Sequence, residues 1–592
     1  MGRKRRGIAG PGPGITILLF LIQAGFAGCG APGAETPNAA PDANPAPTAA
    51  PFADVTDAVG LDFVHVNGMS GKRYFVEMVG SGGALFDYDN DGDLDLYAVQ
   101  GHALAPAQDA SSAPPKDRLY RNDLDVRRDG SRALRFTDVT DTSGLDARGY
   151  GMGVATGDYN NDGHIDLYVL NWGSNQLWRN NGDGTFSDVT RESGTDDPRW
   201  STGASFLDAD RDGRLDLMVV NYDEYTLEND HPCYGTTGRL DYCGPSAYPA
   251  QRDRFFRNRG DGTFEDATFR MGLANAYGPA LGVITADFNL DGWPDLYVTN
   301  DGEDNLLWIN QAGHRFSNRA VMGGVAVNAA GRAEASMGVN AADFDNDGDE
   351  DLFMTHLNGE TNTLYVNTGD ALFEDRTRRS GLGLPSRLFT AFGVAPLDYD
   401  NDGWLDLFIA NGEVKIITEQ VARGDALPLR QPNQLFRNRG QSRFEETTPG
   451  DALFALAEVS RGTAYGDVDN DGDTDLVLFN NNGPARLLRN DIGQQRPWLG
   501  LRLVDAENRR DLPGTRVALL RPEAPTLWRR AHVDGSYCSA HDPRVLFGLG
   551  NTAAYDAVRV YWPDDTVEEW NGLEPGRYHT LVKGQGQSLA EL

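Results

Sequence analysis

Seven stretches of the chain place carboxylates at alternate residues around a glycine, in the pattern Asp-x-Asp/Asn-x-Asp-Gly-x-x-Asp-Leu. Position 1 is Asp87, Asp158, Asp208, Asp287, Asp343, Asp398 and Asp467; position 3 is Asp89, Asn160, Asp210, Asn289, Asp345, Asp400 and Asp469. Position 5 is Asp91, Asp162, Asp212, Asp291, Asp347, Asp402 and Asp471; position 9 is Asp95, Asp166, Asp216, Asp295, Asp351, Asp406 and Asp475. In a tight loop these side chains converge on one centre. The glycine supplies the positive φ that turns the chain, and a backbone carbonyl at position 7 adds an oxygen. Those carbonyls belong to Asp93, His164, Arg214, Trp293, Asp349, Trp404 and Asp473. A hard oxygen cage of this kind suits Ca²⁺, whereas Mg²⁺ keeps its waters and resists all-protein cages. Without an ion the crowded carboxylates would repel or hold protons, so the expected cofactor is structural calcium, in up to seven sites. The same opening letters begin an EF-hand loop, but that loop needs a glutamate at position 12 and a following helix. Position 12 here is Ala98, Val169, Val219, Val298, Met354, Ile409 or Leu478, each inside an apolar strand-like run, which excludes the EF-hand.

The elements that must hold these loops repeat with them. A glycine-led apolar stretch (MGVATGD, LGVITAD, MGVNAAD, FGVAPLD) precedes the acidic loop, and a β-branched and aromatic run (DLYVLN, DLYVTN, DLFIAN) follows it. Next come a short strand with a fixed ending (QLWRN, RFFRN, QLFRN), a glycine turn, and a last strand such as TFSDVT. Four short strands punctuated by Gly, Asn and Asp turns describe one propeller blade. The last strands begin at Phe52, Phe136, Phe186, Phe264, Phe316, Phe373 and Phe444. The first precedes any acidic loop, and the final unit, ending at Asn490, has none after it. The N-terminal strand is therefore expected to complete the final blade and close the ring, leaving no exposed edge. The predicted fold is all-β: a seven-bladed β-propeller over residues 52–490, plus a small C-terminal β-rich domain over 494–592.

The formal net charge of −34 argues against a nucleic-acid partner and fits cation binding or a solvated extracellular surface. With 70 glycines and 30 prolines, the composition favours a turn-rich β fold over a helical one. The N-terminus predicts export: a basic MGRKRR, then an apolar run from Ile15 to Ile22 too short to span a bilayer comfortably. Phe26-Ala27-Gly28-Cys29 resembles a bacterial lipobox, which makes residues 1–29 a lipoprotein-type signal and Cys29 the lipidation site; ordinary cleavage is the alternative. Residues 30–51 are rich in Ala and Pro and predict a flexible linker. The expected location is the outer membrane or cell surface through that anchor, or the periplasm or medium without it. Cys233 and Cys243 lie in one Gly/Pro-rich loop and predict a disulfide. Cys538 is left over and is read as a small buried residue.

These repeats resemble the FG-GAP/VCBS repeats of integrin α-subunit heads and many exported bacterial proteins; Phe392-Gly393-Val394-Ala395-Pro396 keeps the FG…AP lettering. That family places calcium ligands at the loop positions given above. The C-terminal segment, with HVDGSYCSAHDPRVLFGLGN and then VRVYWPDD, resembles the ASPIC/UnbV module, although Cys538 stands where a small polar residue is usual. The combination is similar to the cartilage acidic protein 1 family. The resemblance implies architecture and calcium but no reaction.

The three long insertions, Gly101–Asp117, Tyr222–Asp253 and Gly412–Pro432, all fall between second and third strands, on the face opposite the acidic loops. Long loops on a rigid scaffold are where binding resides. The candidate ligand face therefore includes His65, Glu77, Arg148, Trp200, Arg332, Glu334, Arg387 and Arg461. The expected function is a calcium-stabilised binding or adhesion scaffold for a glycan or an extracellular protein. The alternative is a polysaccharide-acting lyase or dehydratase with its site on the same face. No GxSxG, HExxH or phosphate-loop motif is present.

Overall fold

The computed structural model describes residues 50–104, 113–235, 238–447, 452–522 and 524–589. The signal, Cys29 and all but the last two residues of the linker lie outside them. Seven four-stranded antiparallel sheets follow one another along the chain. Their first strands are Gly83–Phe86, Gly151–Gly157, Ser201–Leu207, Ala280–Ala286, Val339–Ala342, Ala391–Leu397 and Ser460–Gly466. Each packs beside the first strand of the next blade, and that of blade 7 packs beside that of blade 1. The outer strand of blade 7 is Phe52–Asp54, paired antiparallel with Arg486–Asn490 so that Phe52 faces Asn490. The described residues thus form an all-β, seven-bladed propeller whose first and last strands pair in one blade, with a β-rich module after it.

Alternation in the strands explains the layers. In the second strands, such as Asp166–Asn171 and Asp295–Asn300, every residue is buried because both faces meet a neighbouring blade. The asparagine that ends each third strand stitches blades together. Asn180 Nδ2 donates to the Tyr88 carbonyl of the preceding blade at 2.7 Å, and Asn310 to Ala209 at 2.9 Å. The same bond recurs from Asn258, Asn367, Asn438 and Asn490, and Asn122 closes the circle by donating to Val468 of blade 7 at 2.8 Å. Each is a buried amide matched to a buried carbonyl, so losing one strands the other.

Beyond blade 7, Trp498–Val504 pairs antiparallel with Val545–Gly548 and parallel with Tyr578–Val582. A second, five-stranded sheet is centred on Arg516–Leu520 and Ala557–Tyr561. The two share a core that includes Leu501, Val517, Phe547 and Val560.

Candidate functional site

In every blade the position-9 aspartate is the first residue of the second strand. These seven carboxylates are at most 2% exposed; each accepts the amide of the asparagine that ends the third strand, and all but Asp216 also accept an amide from their own loop. Asp95 Oδ2 accepts the Tyr88 amide at 2.9 Å and Oδ1 accepts the Asn122 amide at 2.8 Å. The position-1 carboxylate accepts the amides of positions 5 and 6, as Asp87 does from Asp91 and Gly92 at 3.1 Å each. Position 4 sits in the left-handed region in all seven loops, which suits the asparagines at 90, 161, 346, 401 and 470 and strains Arg211 and Leu290.

The loops gather their oxygens tightly. Ligand atoms within 4.8 Å of one another come from Asp87, Asp89 and Asp95; from Asp208, Asp210 and Asp212; from Asp343, Asp345 and Asp347; and from Asp398, Asp400 and Asp406. Burial, then mutual repulsion, raises these carboxyls: Asp87 to about 6, Asp343 to about 8 and, by burial above all, Asp95 to about 9. Buried oxygens of Asp210, Asp345 and Asp469 have no hydrogen-bond partner. Crowded, partnerless carboxylate oxygens fit a divalent cation. The loops are not equivalent. Arg437 Nη2 lies 2.6 Å from Asp400 and 2.8 Å from Asp402, whereas blades 4 and 5 carry Ile309 and Val366 at the corresponding strand position. At position 3, the amides of Asn160 and Asn289 donate to Asp162 and Asp291 at 2.8 and 2.9 Å.

The C-terminal module covers this acidic face, largely with arginines. Arg544 donates to the Asp467 carbonyl at 2.8 Å and to Asn470 at 2.6 Å, and Arg510 to Asn161 at 2.6 Å. Arg502 lies 3.6 Å from Asp87, Arg496 donates to the Asp400 carbonyl at 2.7 Å, and Tyr578 donates to Asp467 at 2.9 Å. One segment, Asp534–His541, enters the axial channel. Asp534 accepts the hydroxyls of Ser205 and Thr285 at 2.6 and 2.7 Å, and the Ser536 carbonyl accepts the Val339 amide at 2.9 Å. Ala540 exchanges backbone bonds with Gly83 and Leu85, and Tyr537 Oη reaches the Val79 carbonyl at 3.0 Å. Gly535, Ser536 and Cys538 adopt positive φ to make the turn. A Cβ on Gly82 would come within 1.9 Å of the Cys538 carbonyl oxygen, and one on Gly153 within 2.5 Å. Gly82 and Gly153 therefore admit this plug, whereas Gly282, Gly338 and Gly393 let the next blade approach. Cys538 is free and buried, as the sequence suggested, and burial pushes its thiol up, out of nucleophilic range.

The opposite face is irregular. Cys233 and Cys243 form a disulfide across a short hairpin within the second insertion. Beside it an aromatic cluster joins Phe75, Trp200, Tyr222, Tyr225 and Tyr248. A cavity of about 390 Å³ is lined by Trp172, Trp200, Tyr225, Arg199, Glu224 and Glu228, among others. Four residues expected on the ligand face are instead interior. His65, Glu77, Trp200 and Arg461 are 0–2% exposed. Arg461 gives its guanidinium to the carbonyls of Met78, Gly412, Ser460 and Glu413 and stacks on Phe392; Glu77 accepts from Ser70 and Tyr242. Burial lowers His65 to about 3, so it stays neutral. Their place in the blade links suggested a surface, but the inner ends of those links fold over the channel mouth and consume them. Glu334 lies half-buried, 3.9 Å from His356, whereas Arg148 pairs with Asp146 at the rim and Arg332 and Arg387 are exposed.

FG-GAP-like repeat models match residues 87–169, 158–219, 237–298, 287–354 and 343–409, and the model described as ASPIC and UnbV matches 505–588. Cartilage acidic protein 1 from Mus musculus is 28% identical over 322 residues, covering 52% of this chain and 45% of its own. The Homo sapiens protein of that name is 27% identical, covering 53% and 45%. The chain thus spans under half the length of these curated relatives. A solved structure describing recognition of non-reducing terminal N-acetylglucosamine by an Agrocybe aegerita lectin aligns with TM-score 0.36 and 15% identity, over 64% of this chain and 90% of its own. Both the repeats and the module after them are accounted for: the chain belongs to the FG-GAP-like repeat family and carries a C-terminal ASPIC/UnbV domain.

Proposed function

We propose that this is an exported, calcium-fastened propeller that displays a binding surface for a glycan or an extracellular protein on its insertion face. The observation that carries the reading is the division of labour between the faces. The acidic loops lie under the C-terminal module, while the aromatic cavity at Trp172, Trp200 and Tyr225 opens on the other side. The half-buried Trp172 ring, backed by the buried Trp200 and Tyr225 and set beside the exposed Glu224 and Glu228, offers a face on which a sugar ring stacks and partners for its hydroxyls. Calcium would be held at loop positions 1, 3, 5 and 9 by side chains and at 7 by the carbonyl, supplying the charge that the buried carboxylates lack. The number of ions is to be counted, because Arg437 already neutralises part of loop 6. The disulfide and the signal-like N-terminus support export.

The test is a glycan and extracellular-protein array probed with calcium-loaded protein, with product analysis of every hit. Trp172→Ala should abolish capture while the melting temperature changes little. Capture that survives Trp172→Ala, or turnover of the captured polymer, would overturn the binding reading.

A further inference from the structure

Every acidic loop is on the module-covered face, yet the most isolated carboxylate of the insertion face is elsewhere. Asp223 follows the second strand of blade 3, is 1% exposed, and has no hydrogen-bond partner on either oxygen. The charges acting on it are the carboxylates of Asp301 and Glu303, at the matching place in blade 4. Tyr222, next to Asp223 in the chain, reaches across the blade boundary and donates to Asp301 Oδ2 at 2.5 Å. The Lys415 charge also acts on Asp301, but its ammonium is committed to the carbonyls of Tyr242 and Cys243. A buried carboxylate with no donor, at a blade boundary that carries two further carboxylates, is among the costliest arrangements a fold can hold; a proton or a cation must offset it.

We infer that Asp223, Asp301 and Glu303 form a divalent-cation site of a second kind, bridging blades 3 and 4 on the insertion face. It is built differently from the loop sites. Its ligands come from two blades rather than one loop, it has no glycine turn, and Glu303 is exposed and gives an ion a way in from solvent. All-carboxylate oxygen ligands select a hard cation such as Ca²⁺ or Mn²⁺. The site does not depend on what the insertion face binds. Its position beside Tyr222 and Glu224 would let a bound ion order the wall of the aromatic cavity.

The experiment uses crystals of the full chain soaked in Mn²⁺, read by anomalous scattering, with bound metal counted in solution by atomic emission. A peak between Asp223 and Asp301 is expected, and Asp223→Asn should lose one metal equivalent while the loop peaks remain. Glu303→Gln, at an exposed position, should keep the fold and weaken that site several-fold. No peak at Asp223, with equal metal counts in wild type and both variants, would overturn the inference and show that Asp223 holds a proton. Peaks at the acidic loops are read separately, so failure here is distinct from failure of the loop-calcium reading.

Discussion

The two faces of the ring differ in how they spend their acidic residues. On one, the acidic motif repeats seven times, its backbone bonds recur from blade to blade, and an arginine-bearing module packs against it. On the other, blades differ in loop length, aromatic rings cluster, and single carboxylates such as Asp223 stand outside any repeat. Regularity marks what every blade needs in order to stand beside its neighbour. Irregularity marks what only one place in the molecule does. A motif dense enough to suggest an active site recurs in every blade, which is why we propose it as the fastening of the scaffold.

The plug offers the strongest challenge to that contrast. Tyr537→Ala empties a fully buried ring position at the channel mouth and should cost about 3–5 kcal/mol, read as a drop in melting temperature. A drop of under about 1 kcal/mol would mean that the module merely rests on the acidic face. Next is a single loop. Asp343→Asn should lose about 2.7 kcal/mol when calcium is present at about 100 times its Kd, and almost nothing in chelator. Equal losses in both conditions would detach stability from the ion. The blade stitch comes third: Asn310→Ala leaves the Ala209 carbonyl unpaired, at about 1–3 kcal/mol with or without calcium. On the opposite face Glu228→Gln, at an exposed position, should move stability by less than about 0.5 kcal/mol while weakening ligand capture.

The acidic loops should also answer to pH. In metal-free protein the folded pKa values of Asp87, Asp343 and Asp95 are raised, to about 6, 8 and 9, above an unfolded value of about 3.9. The folded state then binds more protons than the unfolded one, so stability falls as pH rises from about 4 towards 9. Calcium displaces those protons, and the stabilisation it brings should grow over the same window. A metal-free melting temperature that is flat from pH 5 to 8 would contradict this.

Much of the architecture is legible in the sequence because repetition multiplies weak signals. The offset of Phe52 against seven acidic loops anticipates its pairing with Arg486–Asn490. The asparagine ending each third strand is plain in the sequence, but only the packed ring shows that it reaches the preceding blade. The leading glycines were visible too, but only the packed ring gives their reasons: Gly153 meets the plug, which comes from residues hundreds of positions away, whereas Gly282, Gly338 and Gly393 meet the next blade. The ligand face was read less well. Arg461 and Glu77 are residue types that usually face solvent, and single-copy loops carry no periodicity to show that they, and Trp200 with them, fold inward.

The central claim is that ions in the acidic loops fasten the ring. Its most direct test is the melting temperature of protein stripped by EGTA, measured at pH 7.5 before and after calcium is restored. Several sites, each contributing about 2.7 kcal/mol at about 100 times Kd, should raise it by at least about 10 °C, reversibly and without Mg²⁺ substituting. An unchanged melting temperature would contradict the account.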